Sequence, residues 1–386
     1  MSKCKKAILL MLTVLLLLPL IAVPGKAEAI GAPAVSAQSA VLIEAESGNI
    51  ICAKNADQRL PMASTTKIMT ALTALELSSP EQIICVDARA VGVEGSSIYL
   101  TEGEQLTLEQ LLYALLLESA NDAAVAIAIG ISGSVEAFAA EMNRIAAELG
   151  LKDTHFVNPH GLDDEEHYTT AYELALLTQH ALKNDLLRTI VSTRKTTIPH
   201  AGTDGVRLLI NHNKLLRLYE GCIGVKTGFT KRSGRCLVSA AQKDGVTLIA
   251  VTLNAPDDWN DHTEMFDYGF SCYESVLLCE KEELTHTMAI VGAEEESAVM
   301  LCNTEELRLT LPVDRGEIRT VTEAAHFEYA TVYAGDILGK VVFYCDTDGN
   351  GTEEKIGEVA LIACNTVTKP VKKGFWQWLL SLFGIQ

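Results

Sequence analysis

The spacing of apolar residues changes near residue 280, and this change most constrains what the chain can fold into. Upstream, apolar residues recur at helical intervals between strand-like runs, whereas downstream short alternating runs and turn residues dominate. This predicts an α/β (α+β) domain, with an antiparallel sheet flanked by helices, over residues 38–280, followed by a small all-β sandwich over 281–368. With 386 residues and 48% hydrophobic content, the chain can build two packed domains.

The first domain is predicted to contain a hairpin, several helices and three consecutive strands. Capping boxes at Thr107 with Gln110 and at Thr170 with Glu173 begin two of the helices. The predicted helices cover 64–77, 107–117, 122–131, 135–149, 170–182 and 262–278, the hairpin 40–54, and the strands 224–230, 235–241 and 246–253.

Composition and spacing argue against several classes of ligand. The 50 acidic and 31 basic residues give a net charge of −19, and a nucleic-acid partner would require a basic surface. The cysteines form no C-x-x-C and the histidines no H-E-x-x-H. Residues 346–351 begin like a calcium loop, but Gly357 stands where the bidentate acid belongs, so a hairpin turn is predicted. We expect no nucleic acid, no metal and no cofactor.

Residues 1–29 have the features of a secretory signal peptide. A lysine-rich start precedes the apolar run 7–23, and Ala27-Glu28-Ala29 is a small-x-small cleavage site. Cleavage would remove four lysines and one glutamate, which changes the net charge from −19 to −22. An uncleaved membrane anchor is the alternative, because 17 apolar residues approach the length that spans a bilayer.

The C-terminal segment 369–386 is predicted to attach the chain to a membrane surface. As a helix it has a face rich in aromatic and leucine residues, with lysines just upstream. That face consists of Phe375, Trp376, Leu379, Leu380 and Phe383. With the signal peptide, this predicts an exported protein attached peripherally to the outer face of the cytoplasmic membrane. A terminal helix docked on the protein itself is the alternative.

Ser64-Thr65-Thr66-Lys67 is the first candidate catalytic motif. Residues three apart share a helix face, so the Lys67 amine can reach the Ser64 hydroxyl. Serine needs a base to become a good nucleophile, and a lysine can serve when burial or a neighbouring positive charge keeps it neutral. The same S-x-x-K pattern occurs at Ser2–Lys5 and Ser192–Lys195. Alone, the motif is equally compatible with an ordinary serine at a helix start.

Ser119-Ala120-Asn121 is the second candidate motif and lies between two predicted helices. A hydroxyl in such a loop can relay a proton, and the amide can hold a substrate carbonyl or Lys67. Ser47-Gly48-Asn49 has the same form, so a plain helix–helix turn capped by serine or asparagine is the alternative.

Lys226-Thr227-Gly228 is the third candidate motif, and K-T-G occurs once in the chain. It lies on a predicted strand, where glycine permits close approach of a substrate backbone. Lys226 supplies a positive charge that favours neutral Lys67 and attracts an acidic substrate. The alternative is a strand with an unrelated lysine and a turn glycine.

In this order, the three motifs resemble the S-x-x-K, S-D-N and K-T-G signature of serine β-lactamases and penicillin-binding proteins. The chain resembles in particular the low-molecular-mass D-alanyl-D-alanine carboxypeptidases, the peptidase S11 type, over residues 38–280. The β domain and the basic amphipathic tail fit the layout of that family more loosely. The stretches that carry the resemblance are 61–70, 117–124, 158–162, 211–213 and 225–230.

The resemblance implies a β-lactamase/transpeptidase-like catalytic domain that acts on the stem pentapeptide of peptidoglycan. Ser64 would attack the carbonyl between the two D-alanines, and β-lactams would acylate the same hydroxyl as covalent inhibitors. The implied catalytic residues are Ser64, Lys67, Ser119, Asn121 and Lys226. The implied oxyanion hole is formed by the N–H groups of Ser64 and Phe229. The implied substrate-binding residues are Lys226, Thr227, Gly228 and His212.

Two positions depart from the pattern of the family. Ala120 stands where the signature has aspartate, and its small side chain should change little. His212 stands where some relatives carry an arginine that helps to hold the substrate carboxylate. A neutral histidine holds a carboxylate less firmly than arginine, which puts substrate affinity and its pH dependence in question.

Three other functions are left open by the sequence. A class A β-lactamase would need a Glu-x-x-Asn between the second and third motifs, but Glu118–Asn121 lies within the second motif itself, and the acidic run 163–166 is better interpreted as a solvated turn. A D,D-endopeptidase could share the whole catalytic core. A catalytically silent wall-binding protein is the third alternative, against which the intact motifs argue.

Overall fold

The computed structural model describes residues 32–200, 205–293 and 297–370. The predicted signal peptide (1–29) lies outside these ranges, and so does the predicted membrane-attaching tail except for residues 369–370. The strands are β1 (Ser39–Glu44), β2 (Ile50–Lys54), β3 (Ile83–Cys85), β4 (Gln105–Thr107), β5 (Lys195–Pro199), β6 (Val206–Ile210), β7 (Cys222–Thr230), β8 (Gly234–Lys243), β9 (Val246–Leu253), β10 (Tyr273–Cys279), β11 (Thr285–Val291), β12 (Ser297–Cys302), β13 (Leu307–Pro312), β14 (Arg319–Ala324), β15 (Phe327–Tyr329), β16 (Ile337–Cys345) and β17 (Glu354–Ala363).

Within the described residues, the helices all precede β10. They are α1 (Lys67–Leu77), α2 (Leu108–Leu117), α3 (Asn121–Ser132), α4 (Val135–Glu148), α5 (Ala171–Ala181), α6 (Asp185–Ser192), the single turn α7 (Leu215–Leu218) and α8 (Asp258–Cys272). Two short 3₁₀ turns occur at Ala63–Thr66 and Ala88–Ala90. Thr107 and Thr170 cap α2 and α5, as the capping boxes predict.

The centre of the first domain is a five-stranded antiparallel sheet in the order β2-β1-β9-β8-β7. Alternate side chains of a strand point to opposite faces, so Val41 and Ile43 pack into the larger core while Leu42 packs into a second one. The larger core holds most of the helices, and α8 covers the other face through Met265 and Phe266. The sheet is therefore buried on both faces, and its β7 edge carries the third motif.

The second domain has a six-stranded sheet in the order β14-β16-β17-β12-β11-β15, with the β10–β13 pair beside it. Cys279 of β10 shares a core with Met288 and Val299 of the larger sheet, so two sheets pack face to face. The predicted fold class, a mixed α+β domain followed by an all-β sandwich, is confirmed.

The predicted helix 262–278 is wrong at both ends. The observed helix α8 begins at Asp258 and ends at Cys272, and residues 273–279 form β10. This strand pairs with β13, which begins 28 residues after β10 ends. Long-range pairing of Tyr273 and Val276, residue types that favour strands, overrides the local helical spacing.

In the described part of the chain, no single helix is both long and apolar enough to cross a membrane. The helices α3 and α4 pass on length and composition only as a pair, and they meet at an angle of 86°.

Candidate active site

The first motif lies on a tight turn rather than inside a regular helix. Ala63–Thr66 form the 3₁₀ turn and Lys67 begins α1, whereas the sequence predicts one helix from residue 64. Ala63 has a φ of +47°, which a non-glycine residue adopts only at some cost. A Cβ at Gly161 would lie 1.9 Å from the Ala63 carbonyl oxygen, so a glycine backbone packs directly behind this turn.

The Lys67 amine has three partners and is completely buried. Its Nζ lies 2.9 Å from Ser64 Oγ, 2.7 Å from Asn121 Oδ1 and 2.6 Å from the His160 carbonyl oxygen. The last two partners only accept hydrogen bonds, whereas a serine hydroxyl can also donate. A neutral amine would give its two N–H groups to these acceptors, which would leave its lone pair facing Ser64.

Asn121 of the second motif is fixed at both ends of its amide. Its Nδ2 donates to the Glu94 carbonyl at 2.6 Å, so its Oδ1 faces Lys67. Its backbone N–H donates to the Ser96 carbonyl at 2.7 Å. Ser119 is almost completely buried at a φ of +60°, and its hydroxyl has no hydrogen-bond partner among the described residues. The second motif therefore supplies one group fixed on Lys67 and one hydroxyl that is still free to bond.

The third motif lies on β7 beside the 3₁₀ turn at Ala63–Thr66, which carries Ser64 and is called the nucleophile turn below. A Cβ at Gly228 would come within 3.0 Å of the Ser64 backbone nitrogen, so a larger residue would crowd this nitrogen. Lys226 is buried, and its Nζ donates to the Thr227 carbonyl at 2.8 Å. Phe229 follows with its side chain 66% exposed. The backbone of β7 thus runs next to the Ser64 nitrogen.

The two site lysines are both buried, and burial disfavours the charged form of each amine. Burial lowers the pKa of Lys226 to about 7. Burial and the charge of Lys226 hold the pKa of Lys67 well below its usual range, and Asp122 opposes this only in part. Lys67 thus bears repulsion from Lys226 in addition to the burial that both lysines share. The neutral amine that a general base requires is therefore favoured at Lys67.

His212, predicted to bind the substrate, is turned toward the second motif. Its Nε2 lies 3.3 Å from Glu118 Oε2, and its side chain is 48% exposed. The other Glu118 oxygen accepts the Ile210 backbone N–H at 2.5 Å. The structure does not bring His212 into hydrogen-bond contact with Lys226 or Thr227.

Two histidines near the nucleophile are absent from the predicted site residues. The His160 carbonyl accepts from Lys67, and its stretch, 158–162, is one of those that carry the family resemblance. His167 is buried, and its Nδ1 accepts the Val157 N–H at 3.1 Å. Its Nε2 therefore carries the proton and donates to Thr66 Oγ1 at 2.7 Å. Thr66 in turn donates to the Ala63 carbonyl at 2.8 Å. His167 therefore stabilises the nucleophile turn through the Thr66 hydroxyl.

Within residues 32–200, 205–293 and 297–370, no cluster of three or more His, Cys, Asp or Glu side chains could hold a metal ion. The site assembles two serine hydroxyls, two amines, an amide and backbone N–H groups, which together suit acyl transfer through a serine ester.

Comparison with known proteins points to the same family as the three motifs. The family model for D-alanyl-D-alanine carboxypeptidase, peptidase S11, matches residues 26–257. The carboxypeptidase DacF of Bacillus subtilis is 39% identical over 64% of this chain and 65% of its own length, just under two thirds. DacC of Escherichia coli is 30% identical over 92% of this chain and 93% of its length. The crystal structure of penicillin binding protein 5 from Haemophilus influenzae superposes with a TM-score of 0.67 and 28% identity, covering 88% of this chain and all of that one.

The family model covers most of the first domain, and the relatives matched over 92% and 88% of the chain also cover part of the second. The resemblance inferred from the three motifs is confirmed: the chain belongs to the peptidase S11 family of D-alanyl-D-alanine carboxypeptidases, among the low-molecular-mass penicillin-binding proteins.

Proposed function

We propose that this chain removes the terminal D-alanine from peptidoglycan stem pentapeptides through an acyl-enzyme on Ser64. The observation that carries the proposal is the position of the buried Lys67 amine, 2.9 Å from Ser64 Oγ and bonded to two fixed acceptors. A serine with a neutral amine in hydrogen-bond contact is an activated nucleophile.

In acylation, Ser64 Oγ attacks the carbonyl between the two D-alanines as its proton passes to Lys67 Nζ. The N–H groups of Ser64 and Phe229 stabilise the oxyanion, because the β7 backbone runs beside the Ser64 nitrogen. The free hydroxyl of Ser119 then relays a proton to the nitrogen of the departing D-alanine. Water hydrolyses the ester, with Lys67 again taking a proton.

The positive charge for the terminal carboxylate comes from the third motif in this proposal. Lys226 and Thr227 lie at the β7 edge, and Gly228 lets the peptide backbone approach that edge closely. His212 is paired with Glu118 instead, and we assign it a weaker contribution to binding.

The experiment that tests the proposal is a hydrolysis assay on the chain without residues 1–29. A pentapeptide ending in D-Ala-D-Ala should lose one D-alanine, and fluorescent penicillin should block this loss and label the protein covalently. If the chain leaves the pentapeptide intact yet cuts a cross-linked dimeric peptide, the D,D-endopeptidase alternative is correct instead.

The β-lactamase alternative predicts rapid turnover of penicillin rather than a stable adduct. Residues 163–166, the acidic run between the second and third motifs, are exposed, and Asp163 accepts a hydrogen bond from Thr230 at 2.9 Å. This acidic run therefore forms a solvated turn, a poor arrangement for activating a deacylating water. We expect the penicillin adduct to outlast many cycles of peptide hydrolysis.

The two lysines predict a bell-shaped dependence of kcat/KM on pH. Activity should rise as Lys67 loses its proton and fall near pH 7, where Lys226 loses the charge that attracts the substrate carboxylate. In Lys226→Arg the guanidinium stays charged, so the falling limb should move above pH 9, whatever the maximal rate. Lys231→Arg, at an exposed neighbouring lysine, should leave the limb in place. A limb near pH 7 in both variants would contradict the assignment to Lys226.

We also propose that the exported chain is held at the outer face of the cytoplasmic membrane by residues 369–386. The support is the sequence, in which lysines precede a face of aromatic and leucine residues. Deletion of 369–386 should move the protein from the membrane fraction to the soluble fraction while D-alanine release persists. Unchanged membrane attachment would instead identify residues 1–29 as an uncleaved anchor.

A further inference from the structure

Two cysteines meet where β12 and β17 come together. Cys302 is the last residue of β12, Cys364 directly follows β17, and their Sγ atoms are 2.7 Å apart. Leu301 pairs with Ala363, and the Cys364 N–H donates to the Met300 carbonyl at 2.8 Å. This register places both cysteines on one face of the sheet, as diagonal neighbours.

The sulfur–sulfur separation is unusual for two free thiols. Carbon atoms rest against one another at about 3.5–4.0 Å, and a disulfide bond is about 2.05 Å long. The two sulfurs are therefore closer than ordinary non-bonded atoms, although backbone hydrogen bonds on both sides hold the strands in their normal register. An approach of the two sulfurs by about 0.7 Å would bring them to the length of a disulfide bond.

We propose that Cys302 and Cys364 form a disulfide that fastens the β sandwich. The oxidant is an external disulfide, either a small molecule or an oxidoreductase. The exposed Cys364 thiolate attacks one sulfur of that disulfide and expels a thiolate, and the Cys302 thiolate then attacks Cys364 Sγ and expels the second. The two cysteines together lose two protons and two electrons, and the oxidant leaves as two thiols.

The bond would link the two strands of the six-stranded sheet that share the fewest registered residue pairs. The β12–β17 ladder joins the half containing β14, β16 and β17 to the half containing β11, β12 and β15. It contains two registered pairs, Leu301 with Ala363 and Cys302 with Ile362, whereas the neighbouring β11–β12 ladder contains six. A covalent link at the end of this short ladder restrains the separation of the two halves.

The location of the chain decides whether the bond persists in the cell. Disulfides are stable outside the reducing cytoplasm, so persistence rests on the export proposed above. Formation by the purified chain rests on the geometry alone.

The test is mass spectrometry of the purified full chain after exposure to oxidised glutathione at pH 8.5. The mildly alkaline buffer is chosen because the hydrogen bond with Cys302 raises the pKa of the Cys364 thiol to about 11. Free thiols are then alkylated without reduction, and the chain is digested. We expect one linked product that contains Cys302 and Cys364, lighter by two hydrogens than the separate peptides and lost on reduction. Cys85→Ser, which removes another exposed cysteine, should keep the link, and Cys302→Ser should lose it.

Thermal unfolding of the same samples tests the structural role. The oxidised chain should unfold at a Tm higher by about 5 °C than the reduced chain. This difference should vanish in the double variant Cys302→Ser, Cys364→Ser, whose Tm should match that of the reduced chain. Complete alkylation of both cysteines after oxidation, or links from either one to another cysteine, would overturn the proposed pairing. A linked chain with the Tm of the reduced chain would overturn the fastening role. Neither readout depends on carboxypeptidase activity.

Discussion

Replacing Ser64 by alanine is expected to abolish both covalent labelling by penicillin and release of D-alanine. The substitution removes only the Ser64 hydroxyl group. Without this hydroxyl, the proposed reaction has no covalent intermediate. Lys67 would keep its bonds to Asn121 and the His160 carbonyl, so the fold should survive. Labelling with fluorescent penicillin, followed by denaturing electrophoresis, measures the loss directly.

The chain supplies a matched control for this substitution. Ser192 and Lys195 repeat the S-x-x-K spacing, but Ser192 ends α6 and donates to the Thr189 carbonyl at 3.0 Å, while Lys195 lies on β5. Ser192→Ala should therefore label as strongly as the unmodified chain. Normal labelling of Ser64→Ala, or loss of labelling in Ser192→Ala, would show that the nucleophile has been assigned incorrectly.

Several residues of the site have side chains whose chemistry makes them recognisable in the sequence. Ser64, Lys67, Asn121 and Lys226 could be selected from the sequence because the motifs specify side chains in a fixed order. The structure adds the distances that turn these residues into a connected group. It also distinguishes Ser64–Lys67 from Ser192–Lys195, which spacing alone cannot do, because the difference lies in burial and in the packing of β7 beside the turn at Ser64.

Backbone groups of the site could not be predicted in the same way. The His160 carbonyl holds Lys67, and the carbonyls of Glu94 and Ser96 hold Asn121. Every residue has a carbonyl group, so no residue type signals this role. Gly161 offered an indirect signal, since its φ of +88° and its contact with the Ala63 carbonyl favour glycine at this point.

The direction of the His212 side chain does not follow from its local sequence. Its place in the stretch 211–213 puts it near the site, but the direction of its side chain depends on Glu118, which belongs to another part of the chain. β10 was missed for a related reason, because its pairing partner β13 follows it in sequence and leaves no local trace. A long-range contact, rather than a local preference, determines both the direction of the His212 side chain and the strand conformation of residues 273–279.

Replacing Lys67 by methionine is expected to lower the rate of acylation by about 10²–10⁴-fold, the usual contribution of a general base. Methionine fills much of the same buried volume but cannot accept the Ser64 proton. Substrate binding should change little, since the carboxylate is assigned to the third motif, so kcat should fall and KM should stay within a few fold. Stopped-flow measurement of penicillin acylation gives the rate constant without the later deacylation step.

A second substitution separates a base from a mere positive charge at this position. Lys67→Arg keeps a donor for Asn121 and the His160 carbonyl, but its guanidinium cannot become neutral at any working pH. If Lys67 acts as the base, the arginine variant should be as slow as the methionine variant at every pH from 6 to 10. If arginine restored acylation to within about fivefold, the charge would be the active feature and Ser64 would need another base.

The stability of these variants must be measured beside their rates. Methionine leaves the buried Asn121 Oδ1 without its donor, at a cost of about 1–3 kcal/mol, but it also removes an amine whose burial with Lys226 disfavours its charge. These effects oppose one another, so the Tm should shift modestly while acylation falls by orders of magnitude. Lys195→Met, at the exposed lysine of the second S-x-x-K pattern, should change neither quantity. A proportionate loss of folded protein and of acylation rate in Lys67→Met would assign Lys67 to structure rather than to proton transfer.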